Sequence, residues 1–384
     1  MHVYLDHAAS TPMQPEAIAA MLPFLADHPG NPSGGHAASR ATKTALEEAR
    51  EAVAAVCGAR LAEVVFTGGG SEGDNLAVKG AAWAARDRDP SLTGIVTTGV
   101  EHKAVLGACA RLEREGARVA RVRAGLDGVV DLEELEGALD ARTAVVSVML
   151  VNNETGVCQP LAEVARLVRE HAPHAMLHTD AVQAPQWLDL RTAAAGADLV
   201  AISGHKFGGP KGVGALVVRD GVRLVPLVEG GGHERELRAG TQNVAGIVAL
   251  ATALRVTDER RVEETARITR LRDRLEAGLR ASVPDFGVNG DAARRVPGVL
   301  HCWFGGIEAE ALLVVLDQLG VCAASGSACS SGAIDPSHVL LAMGLPHERA
   351  LSSVRFSLGY ASTDADVDDA LHVIPEAVEK LRAR

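Results

Sequence analysis

Between residues 63 and 218, short apolar runs alternate with stretches of helical periodicity, and few architectures accommodate that order. The runs are Glu63 to Phe66, Gly94 to Thr98, Arg118 to Val122, Thr143 to Val151, Met176 to Asp180, Ala197 to Ile202 and Val213 to Val218. Helical stretches separate most of them, at Asn75 to Ala85, Lys103 to about Glu115, Asp131 to Leu139 and Leu161 to His171. Parallel neighbours need a long crossover connection, which a helix supplies. The pattern therefore predicts an α/β fold with a mainly parallel sheet wrapped by helices. In such a sheet the strand C-termini share one rim, and ligands bind there. His102, Asn153 and Lys206 fall just after a run and Asp180 ends one, so that rim would gather them. One polar residue at a strand end is ordinary; four at the ends of such runs mark a site.

Lys206 stands in Ser203-Gly204-His205-Lys206, ahead of Gly208-Gly209-Pro210-Lys211-Gly212. Only six lysines, Lys43, Lys79, Lys103, Lys206, Lys211 and Lys380, occur among the 38 basic residues. Where arginine is the ordinary surface cation, a lysine at the rim calls for a chemical reason. An amine that loses its proton in a desolvated, cation-rich site can form an imine, and a guanidinium cannot. By itself the stretch is equally a turn with a solvated lysine, so its neighbours decide. Thr67-Gly68-Gly69-Gly70-Ser71 joins a strand to a helix, where free N–H groups and the positive dipole end suit a phosphate. It is neither a Walker loop nor the dinucleotide fingerprint. A lysine, an aspartate such as Asp180, a ring to stack on and a phosphate cradle are together what pyridoxal phosphate demands. The lysine holds the aldehyde as an imine, and the aspartate keeps the pyridine nitrogen protonated.

A net charge of −11 argues against nucleic acid as the main partner, because phosphate backbones need a basic face. Six scattered cysteines without Cys-x-x-Cys spacing form neither a disulfide framework nor a zinc site, so no metal centre is expected. No apolar run reaches the length of a membrane span, and the first residues lack a signal-peptide pattern. The expectation is a soluble protein of a reducing compartment, the cytoplasm. Beyond the long helical region around 244–279 the chain changes character. Short strands, the stretch Ser325-Gly326-Ser327-Ala328-Cys329-Ser330-Ser331-Gly332 and a helix opened by the Thr363–Asp366 capping box suggest a smaller α+β domain. The predicted division is a large domain at 13–256 and a small one made of 1–12 and 257–384. Pro375 is expected to split the last helix.

Six ordered motifs resemble one family: Glu101-His102-Lys103-Ala104-Val105, Asn152-Asn153-Glu154-Thr155-Gly156, His178-Thr179-Asp180-Ala181-Val182-Gln183, Ser203-Gly204-His205-Lys206, Arg238-Ala239-Gly240-Thr241-Gln242-Asn243 and the Cys329 segment. They are similar to cysteine desulfurases of the NifS/IscS type, class V aminotransferases with the type I fold of pyridoxal-phosphate transferases. The likeness runs from Leu5-Asp6-His7 to Val354-Arg355-Phe356-Ser357 and so covers nearly the whole chain.

The resemblance implies that Lys206 bonds the cofactor, Asp180 pairs with its ring nitrogen, His102 stacks on the ring and moves protons, and Gln183 meets its phenolic oxygen. Gly70, Ser71, Ser203 and His205 would hold the phosphate, with Thr241 reaching in from the second subunit of a homodimer. Asn153 and Arg355, with Asn31, would grip the carboxylate of L-cysteine. Cys329 would take the sulfur as a persulfide, because a thiolate on a mobile, polar loop is the nucleophile that sulfur transfer needs. Cys322 would instead pack. A sulfur-acceptor protein, such as an iron–sulfur scaffold or a thiolation partner, would receive the sulfur. Alternatives are a selenocysteine lyase or desulfinase, or a weakly active sulfur-carrier scaffold. Departures from the family pattern are Gly68 for a usual serine, Ser71 for a usual threonine, a looser loop after Ser33 and a short tail after Lys380.

Overall fold

The structure of the protein is a computed structural model that describes residues 3–325 and 336–383. Its first strand, β1 (Val3–Tyr4), lies outside the main sheet. That sheet comprises β2 (Val64–Thr67), β3 (Gly94–Thr98), β4 (Arg118–Val122), β5 (Thr143–Ser147), β6 (Met176–Asp180), β7 (Leu199–Ser203) and β8 (Gly214–Val218). Their spatial order is β2-β8-β7-β6-β5-β3-β4. Every residue of β2, β3, β5, β7 and β8 is buried, as expected where helices cover both faces. The edge strand β4 exposes Arg118 and Arg121, paired with Asp140 and Glu113 at 2.8 and 2.9 Å. Charge on an edge discourages a further strand from adding.

β3 to β7 pair in parallel with their neighbours, whereas β8 runs antiparallel to both β7 and β2. The antiparallel pairing lets a short connection join β7 to β8, and that connection carries Lys206 on the rim.

Helix Gly70–Arg88 begins at Gly70, not at the expected Asn75. A run of glycines reads as turn, but burial of Leu76, Ala77 and Ala81 extends the helix back to the sheet. The helix lies against the sheet here: a Cβ on Gly73 would stand 3.4 Å from the Ala201 Cβ, an ordinary contact. Helix Asp364–Arg382 runs through Pro375, so the expected break does not occur. A proline inside a helix costs about 3 kcal/mol. Val367, Ala370, Ile374, Ala377 and Val378 are buried on either side of it, and each fully buried Val or Ile returns about 1.5–3 kcal/mol. Packing outweighs the lost hydrogen bond. The helix starts in a capping box, with the Asp366 N–H donating to Thr363 Oγ1 at 3.2 Å and the Thr363 N–H donating to Asp366 Oδ2 at 2.8 Å.

A second, antiparallel sheet has the order β12-β10-β9, formed by β9 (Phe286–Val288), β10 (Val299–Phe304) and β12 (Ser353–Ser357). β1 pairs in parallel with β11 (Val321–Cys322), and the Ser357 N–H donates to the Leu5 carbonyl at 2.7 Å. Helix Val244–Ser282, 39 residues long, packs against helices Pro15–Ala26 and Ala37–Val56 and also against β9, β10 and helix Asp364–Arg382. Ile268, Leu271, Leu275 and Leu279 form its buried stripe. Among the described residues, no helix is long and apolar enough to cross a membrane.

Candidate active site

The C-terminal ends of β2, β3, β5, β6 and β7 open onto a cavity of about 710 Å³. Lys206 reaches it from a one-turn 3-10 segment, Gly204–Lys206, that β7 leads into. The segment is pinned because the Gly204 N–H donates to Val213 and the Gly209 N–H to Gly204, at 3.0 and 2.9 Å. Lys206 Nζ donates to the carbonyls of Ala8 and Ala9 at 2.7 and 3.0 Å. Burial, and then the Arg355 guanidinium, lower this amine to about 8. An amine that sheds its proton so near neutrality is a competent nucleophile and base.

Asp180 ends β6, is 5% exposed and accepts the Val182 N–H at 2.9 Å. Burial raises its carboxyl above the usual range, while His102, the Val182 N–H and Lys206 pull it down. His102 caps helix Lys103–Arg114, its Nδ1 accepting the Ala104 N–H at 3.2 Å. Burial, the largest cause, lowers its pKa below the ordinary imidazole value, against the pull of the Asp180 carboxylate. Gln183 donates to the Ala8 carbonyl at 2.9 Å.

On the same cavity, Gly69 adopts φ 148°, which favours glycine, and helix Gly70–Arg88 then starts without a side-chain cap. Its first N–H groups have no intrahelical acceptor. A Cβ on Gly69 would meet nothing nearer than Ser203 Oγ at 3.9 Å, so the space over this turn is free for a ligand. Glu72 turns back to accept the Gly68 N–H at 2.8 Å and pairs with Arg238 at 3.0 Å. Burial, with Lys206 and Lys211, lowers His205 to about 4, and its Nδ1 has no partner among the described residues. From the second sheet, Arg355 donates to the Asn153 carbonyl at 2.7 Å and to Asp6 at 2.8 Å. Among the described residues, its Nε and Asn153 Oδ1 are buried without partners.

The aminotransferase class-V family model matches residues 3–370. The chain belongs to that family. An IscS-like cysteine desulfurase of Mycobacterium tuberculosis is 47% identical over 383 residues, covering 99% of this chain and 97% of that protein. Among solved structures, a NifS-like protein superposes with a TM-score of 0.92 at 35% identity, over 99% of this chain and 100% of the other. SspA in complex with cysteine gives 0.80 at 32% identity, over 92% and 98%. The mainly parallel α/β sheet is thus the type I fold anticipated from the sequence.

Within this class-V aminotransferase, Lys206, Asp180, His102, Gln183, Gly70, Ser71, Ser203, His205, Asn153 and Arg355 all line the cavity. Asn31 and Thr241 do not. Asn31 is exposed and accepts the Ser33 N–H at 2.9 Å, and Thr241 is exposed before helix Val244–Ser282. Cys329 lies outside the described residues. Cys322 is half-buried on β11.

Sequence reasoning overlooked Asp6, Asp74, Glu154 and His338, which also line the cavity. Glu154, its carboxyl raised chiefly by burial, accepts from Ser337; His338 Nε2 lies 2.9 Å from the Glu101 carbonyl. No local signal marked Asp74, because the sequence starts the helix at Asn75 and only burial of the preceding turn puts this acid on the apolar face.

Proposed function

We propose that this enzyme is a pyridoxal-phosphate-dependent cysteine desulfurase, forming alanine from L-cysteine and carrying the sulfur on Cys329 as a persulfide. The observation that carries the reading is an enclosed lysine with a near-neutral amine on the same rim as Asp180, Arg355 and an uncapped, glycine-led helix start. The donor set fits the cofactor. Lys206 would bond its aldehyde carbon, Asp180 would face its ring nitrogen, His102 its ring, and Gln183 its phenolic oxygen. Gly70, Ser71, Ser203 and His205 would take its phosphate, and the unpartnered His205 Nδ1 and free turn over Gly69 suit that task. Once bound, the cofactor supplies an electron sink for the substrate carbon.

The chain's own groups do the rest. Arg355 presents an unpartnered Nε, and with Asn153 it orients the substrate carboxylate. Lys206 would move the proton at the substrate α-carbon, and His102 would hold and move a second proton. The Cys329 thiolate attacks the substrate sulfur; the carbon–sulfur bond breaks, its electron pair stays with carbon, and a proton completes alanine. The proposal includes a homodimer in which Thr241 of a second copy reaches the phosphate, and Asn31 assists at the carboxylate. It also includes a sulfur-acceptor protein, a cytoplasmic setting and the division into 13–256 and 1–12 with 257–384, which falls within helix Val244–Ser282.

The test is alanine release from L-cysteine with a reductant, together with the near-visible absorption of the loaded protein. Lys206→Ala should lose both. A variant that kept the band and the turnover would remove the lysine from its role.

A further inference from the structure

Behind Asp180 lies a second carboxyl group that this chemistry leaves unused. Asp74 is 1% exposed, on the buried face of helix Gly70–Arg88. One side-chain donor atom each from Asp74, His102 and Asp180 lie within 4.8 Å of one another. Among the described residues, Asp74 Oδ1 has no hydrogen-bond partner, nor has Nε2 of His178, 3.5 Å away. His178 is wholly buried on β6, with Nδ1 2.9 Å from Ser147 Oγ. Glu101 is a third buried acid nearby, its Oε1 accepting the Met149 N–H at 2.7 Å and the Thr98 hydroxyl at 3.0 Å. Lys206 faces Asp180 from the end of β7.

Two carboxyl groups this close and shielded from water do not both ionise. Their partners decide which keeps the proton. Asp180 accepts a backbone N–H and has His102 and Lys206 to favour its charge. Asp74 accepts nothing, and burial opposes the charged forms of both Asp74 and His178, raising the acid well above its range and lowering the imidazole to about 3. The two therefore meet as neutral groups, not as an ion pair.

We infer that Asp74 is a neutral carboxylic acid that donates its proton in a hydrogen bond to Asp180, a positioning residue for the cofactor nitrogen. The inference rests on the reading of the site as a pyridoxal-phosphate site. Donor atoms of the two groups lie within 4.8 Å of each other, and the bond keeps Asp180 the sole anion of the pair. One helix then serves both ends of the cofactor. Its uncapped first turn meets the phosphate, and Asp74, one turn after Gly70, supports the carboxylate at the nitrogen.

The experiment compares the loaded parent with Asp74→Asn and Asp74→Leu, reading the dissociation constant for pyridoxal phosphate and the pH midpoint of the cofactor's absorption band. A parent that bound no pyridoxal phosphate would overturn the functional reading and this inference with it; a parent that binds it isolates Asp74. Asparagine carries no charge yet keeps an N–H donor, so its dissociation constant should stay within about twofold and its midpoint should not move. Were Asp74 ionised, removing a charge about 5 Å from Asp180 would move the midpoint by more than about one pH unit, and that result refutes the inference. Leucine has no donor, and its cofactor affinity should fall about tenfold or more, the loss of one hydrogen bond to a charged group. A leucine variant that binds as tightly as the parent refutes it equally. If that variant does not fold, the asparagine midpoint still decides.

Discussion

Removal of the Glu234 carboxylate should damage both stability and the loop that carries Thr241. Arg50 donates to Glu234 through both terminal nitrogens, at 2.8 and 2.9 Å, and the Phe66 N–H donates to the same carboxylate at 2.9 Å. Gln242 adds a bond at 3.3 Å, and the guanidinium stacks 4.8 Å from the centre of the Phe66 ring. The two side chains are only 10% and 1% exposed, so Glu234→Ala leaves a buried cation with only the carboxylate of Glu47, 43% exposed and 3.5 Å from its Nε. Breaking such a pair costs about 3–5 kcal/mol. The lower end is expected, because Glu234, Arg235 and Glu236 all have left-handed φ (46°, 58° and 66°) and the freed turn can relax. Urea unfolding of Glu234→Ala and of the double variant Arg50→Met with Glu234→Leu measures this. The first should lose about 3 kcal/mol, and the second, with an apolar pair in place of the charges, should recover most of it. The Arg50 guanidinium and the Phe66 N–H hold the Glu234 carboxyl below its usual range, so this stability is present above pH about 4.3 and is lost as pH falls below it. A loss under about 1 kcal/mol in Glu234→Ala would refute the reasoning, since an exposed pair contributes no more than that.

Cys329→Ser should still change the cofactor spectrum on adding cysteine but release almost no alanine, and mass spectrometry of the residue-329 peptide should find no persulfide. Cys322→Ser should turn over nearly as the parent does, and the reverse pattern would reassign the nucleophile. With the Lys206 amine lowered to about 8, cofactor loading of the stripped protein should speed up as pH rises through that value and level off above it. A rate still climbing tenfold per unit between pH 9 and 10, by stopped-flow absorbance, would mean an ordinary exposed lysine.

Much of the site was legible because parallel strands deliver their C-terminal ends to one rim. Strand periodicity and the residues that end or follow each strand are local facts, readable within a short window, and His102, Asp180 and Lys206 were found that way. The starting point of helix Gly70–Arg88 was not local. Three glycines favour a turn until burial of Leu76, Ala77 and Ala81 against the sheet is counted. Pro375 misled for the same reason, since the apolar face that carries the helix past it is satisfied only by distant packing.

By itself, then, the order of residues determined the alternation of strand and helix, the capping box at Thr363, and which side chains could do imine and sulfur chemistry. Those follow from backbone preference and functional-group chemistry, which each residue carries wherever it lies. Tertiary structure alone decided what these groups meet. It set Arg50 against Glu234, 184 residues apart, joined β1 to β11, and brought Asp6 to Arg355 from the other end of the chain. It also turned Lys206 from a basic residue into an amine of about 8 and enclosed Asp74 beside Asp180. A charge is tuned by the water it loses and the charges it faces, and both depend on contacts that no local window contains.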